Sequence, residues 1–376
     1  MKKNNPIKKT QIGAYYYLWY GRPTLPVIGG GIWKWGYTNV PLLGEYDSRS
    51  KKVISQHLKW IKEAGIDFLV VNWGDIESWD DISLRDYFIK ELGRFRIKFC
   101  LHYDATLALN RFRVFHSFNL KDKYSASMTK GEKMLKDFDY LAQKYFKNPH
   151  YYKIQGQPMV VLYGASGLRN IDDYFEQLKA NMEKRSIQLY LVADAVCWGG
   201  IKVSKSIFSF LWQTSPQEAL KVIGRAIKRL SPKKYEDDFS LSKFFKAITG
   251  YNLYAPNRLE GFLNNVEKLY QKYSDFAKDR ELAFFPNLMP GYDDTKLMDA
   301  NSPVLSRAGG DFYKRFGEIA KEYLDPEFPV VLITSFNEWH EGTEIEPSKE
   351  YGKKYLELTK LLKESKVENG KNMDSS

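Results

Sequence analysis

The sequence predicts an α/β fold of the (β/α)8 TIM-barrel class, on three observations. Short apolar runs alternate with amphipathic stretches, which implies a parallel sheet with right-handed crossovers. Eight such runs occur, the number that closes a barrel. The two longest irregular segments follow predicted strands, where a barrel carries its functional loops. The rival arrangement is an open doubly wound sheet. It is disfavoured because no Gly-x-Gly-x-x-Gly follows the first strand. The 376 residues fit one barrel with insertions.

Strands rich in β-branched and aromatic residues are expected at about 12–18 (IGAYYYL), 66–72 (IDFLVVN), 96–103 (RIKFCLHY), 158–163 (PMVVLY), 187–194 (IQLYLVAD), 206–212 (SIFSFLW), 281–287 (ELAFFPN) and 329–335 (PVVLITS). Helices are expected near 49–64, 81–93, 129–147, 170–185, 258–278, 309–324 and 349–364. In the first, Val53, Ile54, His57, Leu58 and Ile61 share one face, and Gly65 is a C-terminal stop. Residues 20–48 form a long loop rich in Gly, Pro and Trp after strand one. Residues 213–257 form an insertion after strand six, with helical patterns near 216–230 and 240–250. This gives a single catalytic domain over 1–365 and a disordered tail over 366–376.

The net charge is +11, but the Lys and Arg are scattered and no basic stripe is interleaved with aromatics. Nucleic acid is therefore not an expected partner. Cys100 and Cys197 form no Cys-x-x-Cys pair, so neither zinc nor any other metal or cofactor is expected. The stretch MKKNNPIKKTQ lacks the apolar centre of a leader, and no run is long enough to span a membrane. The expected location is the cytoplasm. Aromatics make up 15 % of the chain; most suit a Tyr-rich core, and some suit a carbohydrate surface.

The chemistry concentrates in LITSFNEWHEGTEIEPS, residues 332–348, directly after the eighth strand and so at the C-terminal mouth. Glu344 and Glu346 approach the last helix, whose N-terminus attracts acids. That does not account for Glu338 and Glu341. Two Glu three apart on a helical turn bring their carboxyls within roughly 5–6 Å. Retaining glycosidases hold their pair about 5–5.5 Å apart. Strand four offers no carboxylate nearby, and the acids after strand seven lie six or more residues beyond it.

Several segments resemble glycoside hydrolase family 99, the endo-α-mannosidases and their relatives. They are IGAYYYLWYG (12–21), EYDSRSKKVISQHLKWIKEAGIDFLVVNWG (45–74), GQPMVVLY (156–163), PNLMPGYDDT (286–295) and ITSFNEWHEGTEIEP (333–347). The resemblance implies a mechanism in which the 2-hydroxyl of the substrate attacks its own anomeric carbon; no catalytic metal is expected, because the acids lie close together without a regularly spaced His/Cys ligand set. Glu338 would be the base for that hydroxyl. Glu341 would be the acid for the leaving oxygen, and then the base for water. Binding candidates at the predicted strand ends are Tyr17, Trp19, Tyr20, Trp73, His102, Tyr103, Trp212, Tyr292 and Asp293, joined by Asn337 and His340 from the motif. The chain departs from the family pattern after strand three, where it carries His102-Tyr103-Asp104. The expected partner is an oligosaccharide or glycan. Competing readings are a transglycosylase using the same intermediate and an inactive carbohydrate-binding barrel.

Overall fold

The computed structural model describes residues 9–21, 32–110, 118–194, 244–250, 259–297, 300, 302 and 304–364. Eight parallel strands form its centre: β1 Gln11–Tyr16, β2 Phe68–Trp73, β3 Lys98–Asp104, β4 Gln157–Tyr163, β5 Tyr190–Asp194, β6 Ala247–Gly250, β7 Ala283–Leu288 and β8 Val330–Ile333. Each pairs with the next, and the ring closes where Gln11 of β1 aligns with Val330 of β8. The strands read as continuous apolar runs because both faces are covered, one by the barrel interior and one by helices. In β2, for example, all six residues are buried.

The helices alternate with the strands as the periodicity predicts. Lys51–Glu63 buries Ile54, His57, Leu58, Trp60 and Ile61 against the barrel. Gly65 follows at φ +73, a left-handed position that suits glycine. Lys130–Lys144 starts with a capping box in which Thr129 and Glu132 satisfy each other's backbone N–H. Asp172–Glu183, Leu259–Lys278, Asp311–Glu322 and Lys354–Glu364 complete the outer layer. The segment between β2 and β3 is α-helical over Trp79–Ile82 and Ile89–Leu92, with a π-helical stretch Ser83–Phe88 between them. No helix among the described residues is long and apolar enough to cross a membrane.

One strand departs from expectation. The sixth position in the ring belongs to Ala247–Gly250, which pairs with β5 and β7. The sequence reading placed a sixth strand at 206–212 and a helical pattern over 240–250. The first lies outside the described residues; the second contains β6. The segment assigned to an insertion after strand six therefore includes that strand. Phe244 and Phe245 pack on Phe175 of Asp172–Glu183, with centroids 5.3 and 5.8 Å apart. They sit at the entry of β6 against an outer helix, at the end opposite the mouth. Cys197 and the tail 366–376 lie outside the described residues.

Candidate active site

The chain leaves β8 at the C-terminal mouth and folds into a tightly cross-linked turn. Ser335 N–H donates to Thr343 O (2.8 Å), Ile345 N–H to Ser335 O (3.0 Å) and Glu346 N–H to Phe336 O (2.7 Å). Glu338 N–H donates to the Ser335 hydroxyl at 2.6 Å. Phe336 N–H donates to Tyr15 O (2.8 Å), which ties the turn to the end of β1. Gly342 has φ +60, and a Cβ there would lie 3.0 Å from the backbone N and O of Asp293. Asp293 N–H donates to Glu341 O at 2.7 Å. The loop after β7 is thus laced to the loop after β8.

Glu338 is buried, and its two oxygens differ. Oε1 accepts from His340 N–H at 3.1 Å. Oε2 is buried and has no hydrogen-bond partner. Burial, followed by the neighbouring Glu341 carboxyl, holds Glu338 well above the usual carboxylate range. Burial, followed by the Asp294 carboxyl, pushes Glu341 up to about 8. Two carboxyls coupled in this way lose their protons in steps that belong to the pair. What separates their roles is their neighbours. A backbone N–H aimed at Glu338 favours its anion, and the Asp294 carboxyl beside Glu341 favours its acid form. A hydroxyl arriving at Oε2 of Glu338 would meet a buried acceptor with no competing partner.

The acids that follow form the support. Glu344 Oε1 accepts from Asn39 Nδ2 (2.9 Å) and from Arg307 Nη2, and Arg307 Nη2 also donates to Gly342 O (3.0 Å). Glu346 Oε2 accepts from the Tyr46 hydroxyl (2.8 Å) and Trp339 Nε1 (3.0 Å), and its Oε1 pairs with His57 Nε2 at 3.0 Å. Glu344 and Glu346 are both buried, and the last helix starts only at Lys354. They are buried anchors for the loop after β1 and for Lys51–Glu63. The assignment to a helix N-terminus is corrected accordingly. Asn39, Tyr46, His57 and Arg307 were missed by the sequence reading: the partners of the first three lie about 300 residues away in the chain, and Arg307 meets Glu344 across an intervening helix and strand.

The predicted binding residues separate by direction. Asn337 faces the end of β1: Oδ1 accepts from Tyr17 N–H and Nδ2 donates to Tyr17 O, both at 2.8 Å. Its second amide proton points to the Tyr46 hydroxyl at 3.3 Å. Asn337 is a structural clamp with no proton left for a ligand. Tyr20 is fully buried; its hydroxyl donates to Asn337 O (2.8 Å) and accepts from Trp339 N–H (3.0 Å). Trp73 and Tyr103 face outward. Trp73 Nε1 donates to Asp81 (2.9 Å) and Tyr103 donates to Asp137 of Lys130–Lys144 (2.9 Å). These four hold the scaffold; the alternation of a strand turns Trp73 and Tyr103 away from the barrel interior.

His102 takes the opposite parity. Its ring meets Tyr15 of β1 and Tyr163 of β4, at 5.0 and 5.2 Å. Asn72 Oδ1 lies 3.0 Å from Nδ1, so Nδ1 is the donor, and Nε2 is a buried acceptor without a partner. Burial lowers its pKa to about 3, which keeps the ring neutral. Tyr15 donates to Asp194 of β5 at 2.7 Å, a carboxylate inside the barrel that the sequence reading did not select. Tyr17 and Trp19 are half-buried and stacked, with centroids 4.4 Å apart. Tyr292 donates to Asp294 (2.8 Å), and Asp293 accepts from Thr295 N–H (3.1 Å) and its hydroxyl (2.6 Å). His340 Nδ1 donates to Gly36 O at 2.8 Å. Trp212 lies outside the described residues. Among the described residues, no group of three or more His, Cys, Asp and Glu is placed to hold a metal ion.

A closed parallel barrel with a buried Glu338 and a half-buried Glu341 in the loop after its last strand suits a carbohydrate-active enzyme of the glycoside hydrolase class. The chain belongs to the family described as "Glycosyltransferase WbsX", whose pattern it matches over residues 38–359. It is also similar to the mouse glycoprotein endo-alpha-1,2-mannosidase, at 24 % identity over 371 residues, covering 89 % of this chain and 67 % of that protein. The human glycoprotein endo-alpha-1,2-mannosidase-like protein is 24 % identical over 385 residues, with 93 % and 71 % covered. Among solved structures, the GH99 endo-alpha-mannosidase from Bacteroides thetaiotaomicron superposes with a TM-score of 0.62 at 18 % identity, covering 94 % of this chain and 96 % of that one. A structure described as a glycoside hydrolase-like protein reaches 0.69 at 18 % identity, with 96 % and 97 % covered. The expected resemblance to endo-α-mannosidases thus extends over most of the chain.

Proposed function

We propose that this protein is a retaining, endo-acting glycoside hydrolase that cleaves an internal α-mannosidic bond of a glycan through its neighbouring 2-hydroxyl. The observation that carries the reading is the carboxyl pair itself: burial raises both groups, Glu338 keeps a buried oxygen without a partner, and Glu341 lies beside Asp294. In an α-mannoside, O2 and the leaving oxygen are both axial and on opposite faces of the ring, so O2 has a back-side path to C1. Glu338 takes the O2 proton as the O2–C1 bond forms. Glu341 gives its proton to the leaving oxygen as the C1–O bond breaks. Water then attacks C1 of the 1,2-anhydro sugar; Glu341 takes a proton from it, and O2 recovers its own from Glu338. Two inversions retain the configuration. The names of the mannosidase relatives support this reading.

The test is a screen of α-mannosyl oligosaccharides with the product anomer read by NMR before mutarotation. Internal cleavage that releases the α-anomer first is the expected result; the β-anomer first would end the proposal. A 2-fluoro substrate is expected to be inert and to leave no sugar attached to Glu338, as checked by intact-protein mass spectrometry. The transferase description of the family favours a second outcome of the same intermediate, capture by a glycan alcohol in place of water. Added acceptor would then divert product from hydrolysis without changing its anomeric configuration.

The pH profile follows from Glu341. The acid must enter protonated, so kcat/KM should fall as pH rises through about 8. Asp294 is a negative charge that disfavours the Glu341 anion, so Asp294→Asn should lower the pKa of Glu341. The alkaline limb then moves to lower pH. A limb that stays in place would detach Asp294 from the acid.

A further inference from the structure

Trp35 is the one strongly exposed tryptophan among the described residues, 42 % accessible, yet its backbone is not loose. It ends a 3-10 turn, Ile32–Trp35, in the long loop after β1. Its neighbour Trp33 is buried, donates from Nε1 to Tyr46 O (2.7 Å) and stacks on Tyr20 with centroids 4.3 Å apart. On the other side, Gly36 N–H donates to Trp33 O at 3.3 Å, and Gly36 O receives His340 Nδ1. Gly36 has φ +88, and a Cβ there would come within 3.2 Å of Lys296 in the loop after β7. The turn is thus wedged between the loops after β7 and β8, and these are the loops that carry Asp293, Asp294 and Glu341. A large apolar ring held rigid in water calls for a partner in a way that a mobile one does not.

A second observation points to a ligand at the same place. The His340 ring lies 5.9 Å from the Trp35 ring, centroid to centroid. His340 is 2 % exposed, and because Nδ1 donates to Gly36, its Nε2 is an acceptor; that atom has no hydrogen-bond partner. A sugar satisfies both features at once. The C–H face of a pyranose covers an indole, and its hydroxyls donate to a neutral imidazole nitrogen.

We propose that Trp35 is the platform of a subsite for a pyranose ring on the leaving-group side of the cleaved bond, with His340 Nε2 accepting from a hydroxyl of the same ring. The side follows from the neighbours: the turn abuts the loops of the residue that protonates the leaving oxygen. This placement rests on the role of Glu341 proposed above. The subsite selects glycans that continue past the cleaved bond, and it makes the enzyme endo-acting through binding energy on the departing sugar.

The test is a titration of Glu341→Gln protein by calorimetry, with α-linked disaccharides of mannose, glucose, galactose and N-acetylglucosamine and with the four matching methyl glycosides. The reading is the ratio of disaccharide to methyl-glycoside affinity. Adding Trp35→Ala should lower that ratio by about tenfold, and Trp35→Tyr should keep most of it. An unchanged ratio for a disaccharide that binds overturns the platform and leaves the mannosidase reading standing. Binding confined to disaccharides without mannose, and lost in Trp35→Ala, keeps the platform and overturns the mannosyl specificity. Absence of binding by every disaccharide to protein with Trp35 intact overturns both.

Discussion

Glu341→Gln is expected to lose about 10²–10⁴-fold in kcat/KM on an alkyl-linked α-mannoside and to recover much of it on a mannosyl fluoride or an activated aryl mannoside. Those leaving groups depart without a proton, so the absent acid no longer limits the first step. Glu338→Gln should lose as much on the natural linkage and recover nothing, because the 2-hydroxyl still has no base. The pair of variants separates two roles that a simple activity loss cannot. Equal rescue of both, or covalent labelling of Glu338 by a 2-fluoro sugar, would make Glu338 an ordinary nucleophile.

Arg307→Met should cost about 3–5 kcal/mol of stability, the usual consequence of removing one partner of a buried ion pair. Arg307 is buried, salt-bridged to Glu344, bonded to Gly342 O and stacked near Tyr351 and Tyr355, at 5.0 and 4.7 Å. Methionine keeps most of the packing and removes the charge. The sign of the pH dependence follows from Glu344. Burial raises its pKa to about 7 even with Arg307 opposing, and without Arg307 it rises further. A carboxyl whose folded pKa is raised destabilises the fold increasingly as pH climbs from the unfolded value through the folded one. The deficit of Arg307→Met should therefore be smallest and flat below pH 7, where Glu344 is protonated in both folded proteins, and grow as pH rises above 7. Urea midpoints of both proteins across that range would show it. A deficit that is flat with pH would mean that Glu344 does not depend on this cation.

Most of the frame was legible because buried parallel strands are written as uninterrupted apolar runs, and β2, β3 and β4 are of that kind. β6 escaped for a physical reason. AITG is four residues long and ends in glycine, and its burial comes from neighbours on both sides rather than from its own composition. SIFSFLW carries a stronger local strand signal, and local signal is all that periodicity measures. The candidate pair, Glu338 and Glu341, drew attention because charge directly after an apolar strand is costly unless it is used. The binding residues were legible only in part. Asn72 and His102 turn inward while Trp73 and Tyr103 turn outward, and which parity faces the interior depends on the register between neighbouring strands. Glu344 and Glu346 misled because their partners, Arg307 and His57, come from distant segments that only the closed barrel brings together.

The pairing of Gln11 with Val330 has a consequence for how the enzyme is made. Within the barrel, β1 must wait for β8 before its open edge is covered, and a chain folds N-terminal portions first as it emerges. Glu338 and Glu341 follow that last strand. Every intermediate length of the barrel therefore presents an unzipped edge, and the turn that carries Glu338 and Glu341 comes into being in the same event that seals the ring. Catalytic competence should appear as a single late step in synthesis, with no partially active precursor for a cell to restrain.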